Sequence, residues 1–175
     1  MFRHILVATD LTRVSRAALD RADTLARGER AHLHILHVVP DPASEPWVVK
    51  TYGIDWERLR AEASGRARRA LVAATRHLER DPHLTTLVTS AGQPADEILS
   101  YARRHAVDLI VLGTRGRGRL AATLLGSVAD KVVRGARCPV MVVRSPAPRR
   151  STTTSGKRRD PHERAYGGRV AGGLL

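Results

Sequence analysis

Aromatic residues and cysteine are scarce in this chain of 175 residues. Phe, Trp and Tyr together make up 3% of it, so the core has to be aliphatic and rich in alanine. The single cysteine, Cys138, excludes an intrachain disulfide and a cysteine-rich zinc site, and we interpret it as a buried structural residue. No apolar run approaches the roughly 20 residues that span a bilayer. The apolar stretch Ile5–Ala8 is too short for a signal peptide, so we expect a cytoplasmic protein.

Several common catalytic and nucleotide motifs are also missing. The sequence has no G-x-x-x-x-G-K-[ST] P-loop. No G-x-G-x-x-G follows the first predicted strand, which argues against a nicotinamide-type Rossmann domain. A G-x-S-x-G elbow is absent, which argues against an α/β-hydrolase. Because no activated nucleophile or well-placed general base stands out, the question of an enzyme stays open and we expect any hydrolysis to be slow.

The chain is strongly basic, with a formal net charge of +13. From Arg144 to Leu175, eight basic and two acidic residues give +6. A basic surface favours anionic partners. Residues 145–175 contain prolines, glycines and a Ser/Thr run without an apolar period, so we predict a disordered basic tail there. The Lys157–Arg159 run leaves nucleic-acid contact open as an alternative, although a solvated tail is the default interpretation.

Apolar runs and helical patterns alternate along residues 1–144. The runs are rich in Val, Ile and Leu and nearly continuous, as in strands buried on both faces; they are His4–Thr9, His32–Val39, Leu84–Thr89, Asp108–Gly113 and Pro139–Arg144. The helical patterns between them are Leu11–Arg27, Asp55–Arg80, Pro94–His105 and Ser127–Gly135. Strict alternation predicts an α/β fold with one parallel sheet and helices on both faces.

Ligands of such sheets bind at the carboxyl ends of the strands. Asp10 follows the first strand, a glycine- and arginine-rich loop follows the fourth, and Gly126-Ser127 opens the last helix. Glycines let several backbone N–H groups approach a phosphate, and a helix start adds unpaired N–H groups. Asp10 suits a ribose hydroxyl or water-mediated Mg²⁺. The alternatives are that these glycines only form turns and that Asp10 only caps a helix.

The loop glycines carry a family resemblance. Gly113-x2-Gly116-x9-Gly126-Ser127 resembles the signature of ATP-binding universal stress proteins. Further segments are similar to the family's strands and last helix start; they are Ile5–Asp10, Leu36–Val38, Leu124–Val128 and Cys138–Val143. The resemblance covers roughly residues 2–144. It implies a single doubly wound, Rossmann-like domain over 1–144, with five parallel strands in the order 3-2-1-4-5.

The resemblance also implies a function in the stress response. It implies that the chain binds ATP with Mg²⁺, Asp10 assisting the metal, and forms homodimers through the last strand, Pro139–Arg144. The nucleotide contacts carried over by position are Ala8, Thr9, Asp10, Val38, Leu112, Gly113, Arg115, Gly116, Gly126, Ser127 and Val128. We therefore expect a nucleotide-dependent binding module. The alternatives are a scaffold that does not bind ATP, and a slow ATPase or nucleotidyl transferase.

Three histidines recur on the second predicted strand. A metal cluster is one interpretation of His32, His34 and His37. Because side chains alternate along a strand, His32 and His34 share one face and His37 lies on the other. We therefore favour partly buried strand histidines without a metal.

Overall fold

The computed structural model of the chain describes residues 1–39, 56–78, 81, 84–114 and 125–144. The elements in chain order are β1 (His4–Ala8), α1 (Arg13–Glu29), β2 (His32–Val39), α2 (Trp56–Thr75), β3 (Thr85–Ala91), α3 (Pro94–Arg104), β4 (Leu109–Gly113), α4 (Ser127–Gly135) and β5 (Val140–Val143). All pairings within the sheet are parallel, and the strand order is β3-β2-β1-β4-β5. The predicted doubly wound α/β fold and its strand order are confirmed.

The continuous apolar runs predicted strands correctly because the three central strands are covered on both sides. Ile5, Leu6 and Val7 of β1 are all fully buried. Leu6 lies between His34 of β2 and Ile110 of β4 in the parallel register. Helices on both faces remove the alternation of apolar and polar residues that a half-exposed sheet would have.

Two hydrophobic clusters lie on opposite faces of the sheet. One contains Ile5 and Val7 with residues of α1 and with Leu71 of α2. The other contains Leu6 and Leu36 with residues of α3 and α4. The half-buried Cys138 packs against this second cluster. Alanine and aliphatic side chains dominate both clusters, as the low aromatic content predicts.

Helix α1 begins two residues later than predicted. Leu11 has a φ of 63°, which a helical residue does not adopt. Thr12 is the N-cap, and its side chain accepts a hydrogen bond from the Ser15 backbone N–H at 3.4 Å. The buried face of α1 carries Ser15, Ala18, Leu19, Ala22 and Ala26, and Leu25 packs against the same core cluster.

Helix α4 has the predicted bounds, Ser127–Gly135. Gly126 is the N-cap and makes no side-chain cap bond, so Ser127 and Asp130 do not form a capping box. Gly135 is the last helical residue, not the C-cap. Glycine at this position allows α4 to pack closely on α3, because a Cβ there would stand 2.7 Å from Cδ1 of Leu99.

Among the other elements, α2 and β3 differ most from the prediction, whereas β1, α3, β4 and β5 are shorter than predicted by one residue at one or both ends. The second predicted helix, Asp55–Arg80, is α2 followed by a 3₁₀ turn at Arg76–Leu78. Strand β3 starts one residue later than predicted and continues to Ala91, because its pairing with β2 extends to Val39.

The predicted tail over residues 145–175 lies outside the described residues. Within the described ranges, no helix combines the length and the apolar character of a bilayer-spanning segment.

Candidate functional site

The strand order reverses between β1 and β4, and this reversal defines the candidate site. β1 is followed by a connection to β2 on one side, whereas β4 lies on its other side. Val7 of β1 pairs with Val111 of β4, so Ala8 and Gly113 end neighbouring strands at the same edge. Helices above such a reversal point diverge and leave a crevice, which is where ligands of open α/β sheets bind.

The turn after β1 is fixed by a buried polar network. The Thr9 backbone N–H donates to the Leu36 carbonyl at 2.9 Å, which extends the β1–β2 pairing by one residue. The Thr9 carbonyl accepts from Nδ1 of the buried His37 at 2.8 Å. The Thr9 hydroxyl lies 2.9 Å from the hydroxyl of Ser15 in α1. These bonds hold the backbone of residues 9 and 10 at the sheet edge.

Asp10 is oriented by the start of helix α1. Its Oδ1 accepts from the Thr12 backbone N–H at 3.0 Å and from the Thr12 hydroxyl at 2.6 Å. The Leu11 N–H donates to the Thr9 hydroxyl at 3.1 Å, which stabilises the left-handed conformation of Leu11. The N-cap of the helix is Thr12. The interpretation of Asp10 as only a helix cap is therefore wrong.

The start of helix α4 is tied to the same edge. The Gly126 N–H donates to the Thr114 carbonyl at 2.8 Å, and the Thr114 N–H donates to the Val143 carbonyl at 3.0 Å. Ser127 is exposed. The first N–H groups of a helix have no partner within it and form its positive end. The Asp130 carboxylate accepts two hydrogen bonds of 3.1 Å from the guanidinium of Arg134, one turn further along the helix.

Four of the predicted contact residues lie on one face of the sheet. Leu112 and Val38 belong to the cluster between the sheet and helices α3 and α4, and Ala8 and Val128 pack against it. Thr9, Asp10, Gly113, Gly126 and Ser127 lie at the ends of the elements described above. The structure therefore brings nine of the eleven predicted residues to this side of the fold. Arg115 and Gly116 lie outside the described residues.

Several supporting residues were not found from the sequence. His37 and Ser15 position Thr9, and Thr114 connects α4 to β5. At the end of β3, the Ser90 hydroxyl donates to Glu97, and the nearby Gly92 N–H donates to the Val39 carbonyl at 3.1 Å. Of these residues, only Gly92 could have been found from its residue type, because its φ of 146° is one that glycine adopts and other residues rarely do.

No group of three or more His, Cys, Asp or Glu side chains in the described ranges has the arrangement to hold a metal ion. The histidines of β2 point to opposite faces, as predicted. His34 contacts Tyr101 of α3, whereas His37 contacts the carbonyl of Thr9. The interpretation of His32, His34 and His37 as one metal cluster is therefore wrong.

Comparison with known proteins gives a consistent result. Residues 1–144 match the model of the universal stress protein family. The universal stress protein YxiE of Bacillus subtilis is 35% identical over 148 residues, covering 82% of this chain and 100% of the relative. The solved structure of the hypothetical protein MJ0577 has the same fold, with a TM-score of 0.70 and 24% identity over 85% of this chain and 99% of that one.

A second solved structure comes with a nucleotide. It is a universal stress protein in complex with cAMP, with a TM-score of 0.61 and 26% identity over 83% of this chain and 99% of that one. The family match spans every strand and helix of the described fold. The chain therefore belongs to the universal stress protein family.

Proposed function

We propose that this chain binds an adenine nucleotide, ATP with Mg²⁺, where the ends of β1, β2 and β4 meet the start of α4. The observation that carries the proposal is the linkage of the Thr9–Asp10 turn and the α4 start to adjacent strands. Family membership and the relative in complex with cAMP support an adenine nucleotide as the ligand.

The phosphates would lie at the start of α4. The helix offers the N–H groups of its first turn and the exposed hydroxyl of Ser127. Gly126, without a side chain, allows the phosphates to approach the backbone. Arg115 and Gly116 of the preceding loop are assigned to the phosphates, and Gly113 to the sugar, from the sequence alone. Asp130 does not oppose this placement, because it is paired with Arg134 one turn along the helix.

The nucleoside would lie on the face shared by Ala8, Val38 and Leu112. These apolar residues suit an adenine ring, whose edge would bond to the backbone of Val38. Thr9 and Asp10 would contact the ribose. An ionised carboxylate is an acceptor of hydrogen bonds, which suits the hydroxyl groups of a ribose.

The same carboxylate fits Mg²⁺, which prefers oxygen ligands and keeps several waters. Asp10 would hold the ion through water, and the nucleotide phosphates would supply the other oxygens. When bound, Mg²⁺ would neutralise part of the phosphate charge.

We propose a binding module, in which nucleotide occupancy changes conformation or partner choice in the stress response. The side chains of Thr9, Thr12 and Ser15 are held in structural hydrogen bonds, so at most slow hydrolysis is expected. Strand β5 is the last in the sheet order, and its four residues are half-buried. We propose that two copies pair through this edge. The cytoplasmic location and the disordered tail over 145–175 stay predictions.

Calorimetric titration with ATP and Mg²⁺ tests the nucleotide site. The Gly126→Val variant adds bulk at the phosphate position, while the backbone angles there, φ −61° and ψ 153°, are ones that valine adopts. We expect micromolar binding to the parent and at least a tenfold loss in Gly126→Val and in Ser127→Ala. Thr24→Ala, an exposed hydroxyl of α1, is the matched control and should bind like the parent. No binding to the parent at millimolar ATP would contradict the proposal and leave a scaffold without a nucleotide. AMP and cAMP, titrated in parallel, identify the preferred phosphate group.

Light scattering after size exclusion tests the pairing. The parent should have twice the mass of one chain, and Val142→Lys at the proposed interface should be a monomer. A monomeric parent at tens of micromolar would contradict pairing through β5.

A further inference from the structure

Four histidines meet at the amino-terminal edge of the sheet, opposite the proposed nucleotide site. His4 and His32 are the first residues of β1 and β2 and pair in the parallel register. The ring centroids of His32 and His34 are 4.6 Å apart, and those of His4 and His34 are 5.6 Å apart. His105, just beyond α3, has its ring 5.8 Å from that of His34.

His34 is the centre of this cluster. It is 6% exposed. Its Nε2 lies 3.3 Å from Nδ1 of His4, and its Nδ1 lies 3.0 Å from the hydroxyl of Tyr101 in α3. Tyr101 in turn stacks on His105, with centroids 4.1 Å apart. A chain of contacts thus joins the start of β1, through β2, to the C-terminal end of α3.

The number of protons on the rings of His4 and His34 determines whether their contact is a hydrogen bond. In the neutral state, one nitrogen of the His4–His34 pair donates and the other accepts. If both rings were protonated, two N–H groups would face each other at 3.3 Å and the contact would become repulsive. The hydrogen bond between His4 and His34 is therefore compatible with at most one protonated ring.

The surroundings of His34 disfavour its charged form. Burial, followed by the neighbouring rings of His32, His4 and His105, lowers the pKa of His34 to about 4. Arg104 of α3 adds positive charge near Tyr101. The carboxylate of Asp108 accepts from the backbone N–H groups of Arg3 and His4 at this edge. From β3, the Thr86 hydroxyl lies 2.7 Å from Nε2 of His32.

We propose that the cluster of His4, His32, His34 and His105 is an acid-sensitive latch, whose protonation releases the C-terminal end of α3 from the sheet. The direction of the pH dependence follows from the linkage between proton binding and folding. A histidine whose pKa is lower in the folded state binds fewer protons there than in the unfolded state, so stability falls as the pH falls from about 6.5 toward 4. Below that window no further loss comes from this group. The latch is independent of nucleotide binding, because it lies at the opposite edge.

Urea unfolding at pH 7.5 and pH 5.0 tests the latch. For a single group with a pKa of about 4 when folded and 6.5 when unfolded, the folded-to-unfolded ratio falls by about 30-fold over this interval. The His34→Gln variant keeps hydrogen-bonding groups but cannot titrate, so it should lose about 30-fold less than the parent. His77→Gln is the matched control, because His77 lies on the other helical layer beside Asp20. It should retain the full loss. Equal losses in the parent and in His34→Gln would overturn the proposal.

Two measurements on the parent keep the test valid if His34→Gln does not fold. NMR titration of the histidine rings should show one ring that stays neutral at pH 5, and titration of all rings near 6.5 would overturn the proposal. Hydrogen exchange locates the opening. The amides of His105 and Val107, which bond to the carbonyls of Tyr101 and Ala102, should lose more protection on acidification than amides inside α1. A uniform change in both places would also overturn it.

Discussion

Replacing Ser15 by alanine tests whether the buried polar network sets the turn that carries Asp10. Ser15 is 4% exposed, and its hydroxyl contacts the Thr9 hydroxyl at 2.9 Å and the Thr12 carbonyl at 3.0 Å. Each hydrogen bond contributes a net of about 0.5–1.5 kcal/mol. Alanine recovers about 0.5 kcal/mol through its higher helix propensity. We therefore expect the free energy of unfolding to fall by about 0.5–2.5 kcal/mol.

The assay is urea unfolding followed by circular dichroism, combined with calorimetric ATP titration of each variant. The control is Thr24→Ala, which removes a hydroxyl from the exposed face of the same helix, where it donates to the Asp20 carbonyl. The control should change stability by less than about 0.5 kcal/mol. Because Ser15 also positions Thr9, its loss should weaken ATP binding several-fold. If Ser15→Ala matched the control in both assays, the network would not set the turn.

Three further changes probe the core, a helix end and the thiol. Val132→Ala, at a fully buried position of α4, should cost about 1.5–3 kcal/mol in urea unfolding, whereas Val133→Ala, at 44% exposure, should cost under about 0.5 kcal/mol. Arg30→Gly should raise the free energy of unfolding by about 0.5 kcal/mol or more, because Arg30 has a φ of 55°, and Arg30→Ala should show no such gain. Burial, and then the charge of Asp108, raise the pKa of Cys138, so a disulfide reagent at pH 8 should label it at least about tenfold more slowly than glutathione. Equal labelling rates would contradict this burial.

The sequence predicted the strands well because their residues report burial directly. Both faces of β1, β2 and β4 are covered, so continuous apolar runs such as Leu109–Leu112 leave little ambiguity. Helix ends were harder. Leu11 reads as an apolar helix residue, but the Asp10–Thr12 bonds and its positive φ keep it outside α1. The last residue of α4, Gly135, leaves room for the side chain of Leu99, which lies far away in sequence, so this role could not be predicted locally.

The sequence indicated which residues lie at the candidate site, but it did not indicate the hydrogen bonds that hold them in place. Asp10, Gly126 and Ser127 follow from strand ends and a helix start, which are local features of the sequence. The bonds of His37 to Thr9 and of Thr114 to Gly126 depend on the final register and were not predicted. The histidine cluster was missed for the same reason. His4 and His105 are 101 residues apart by number, and only the parallel register and the packing of α3 bring them to His34.

Amide chemical-shift mapping during titration with ATP and Mg²⁺ tests the nucleotide site most directly. The account predicts saturable shifts at Thr9, Asp10, Gly113, Ser127 and Val128, with little change at His4 and His32 on the opposite edge. Shifts confined to another surface, or none at millimolar ATP, would contradict the assignment of the nucleotide to the β1–β4 edge.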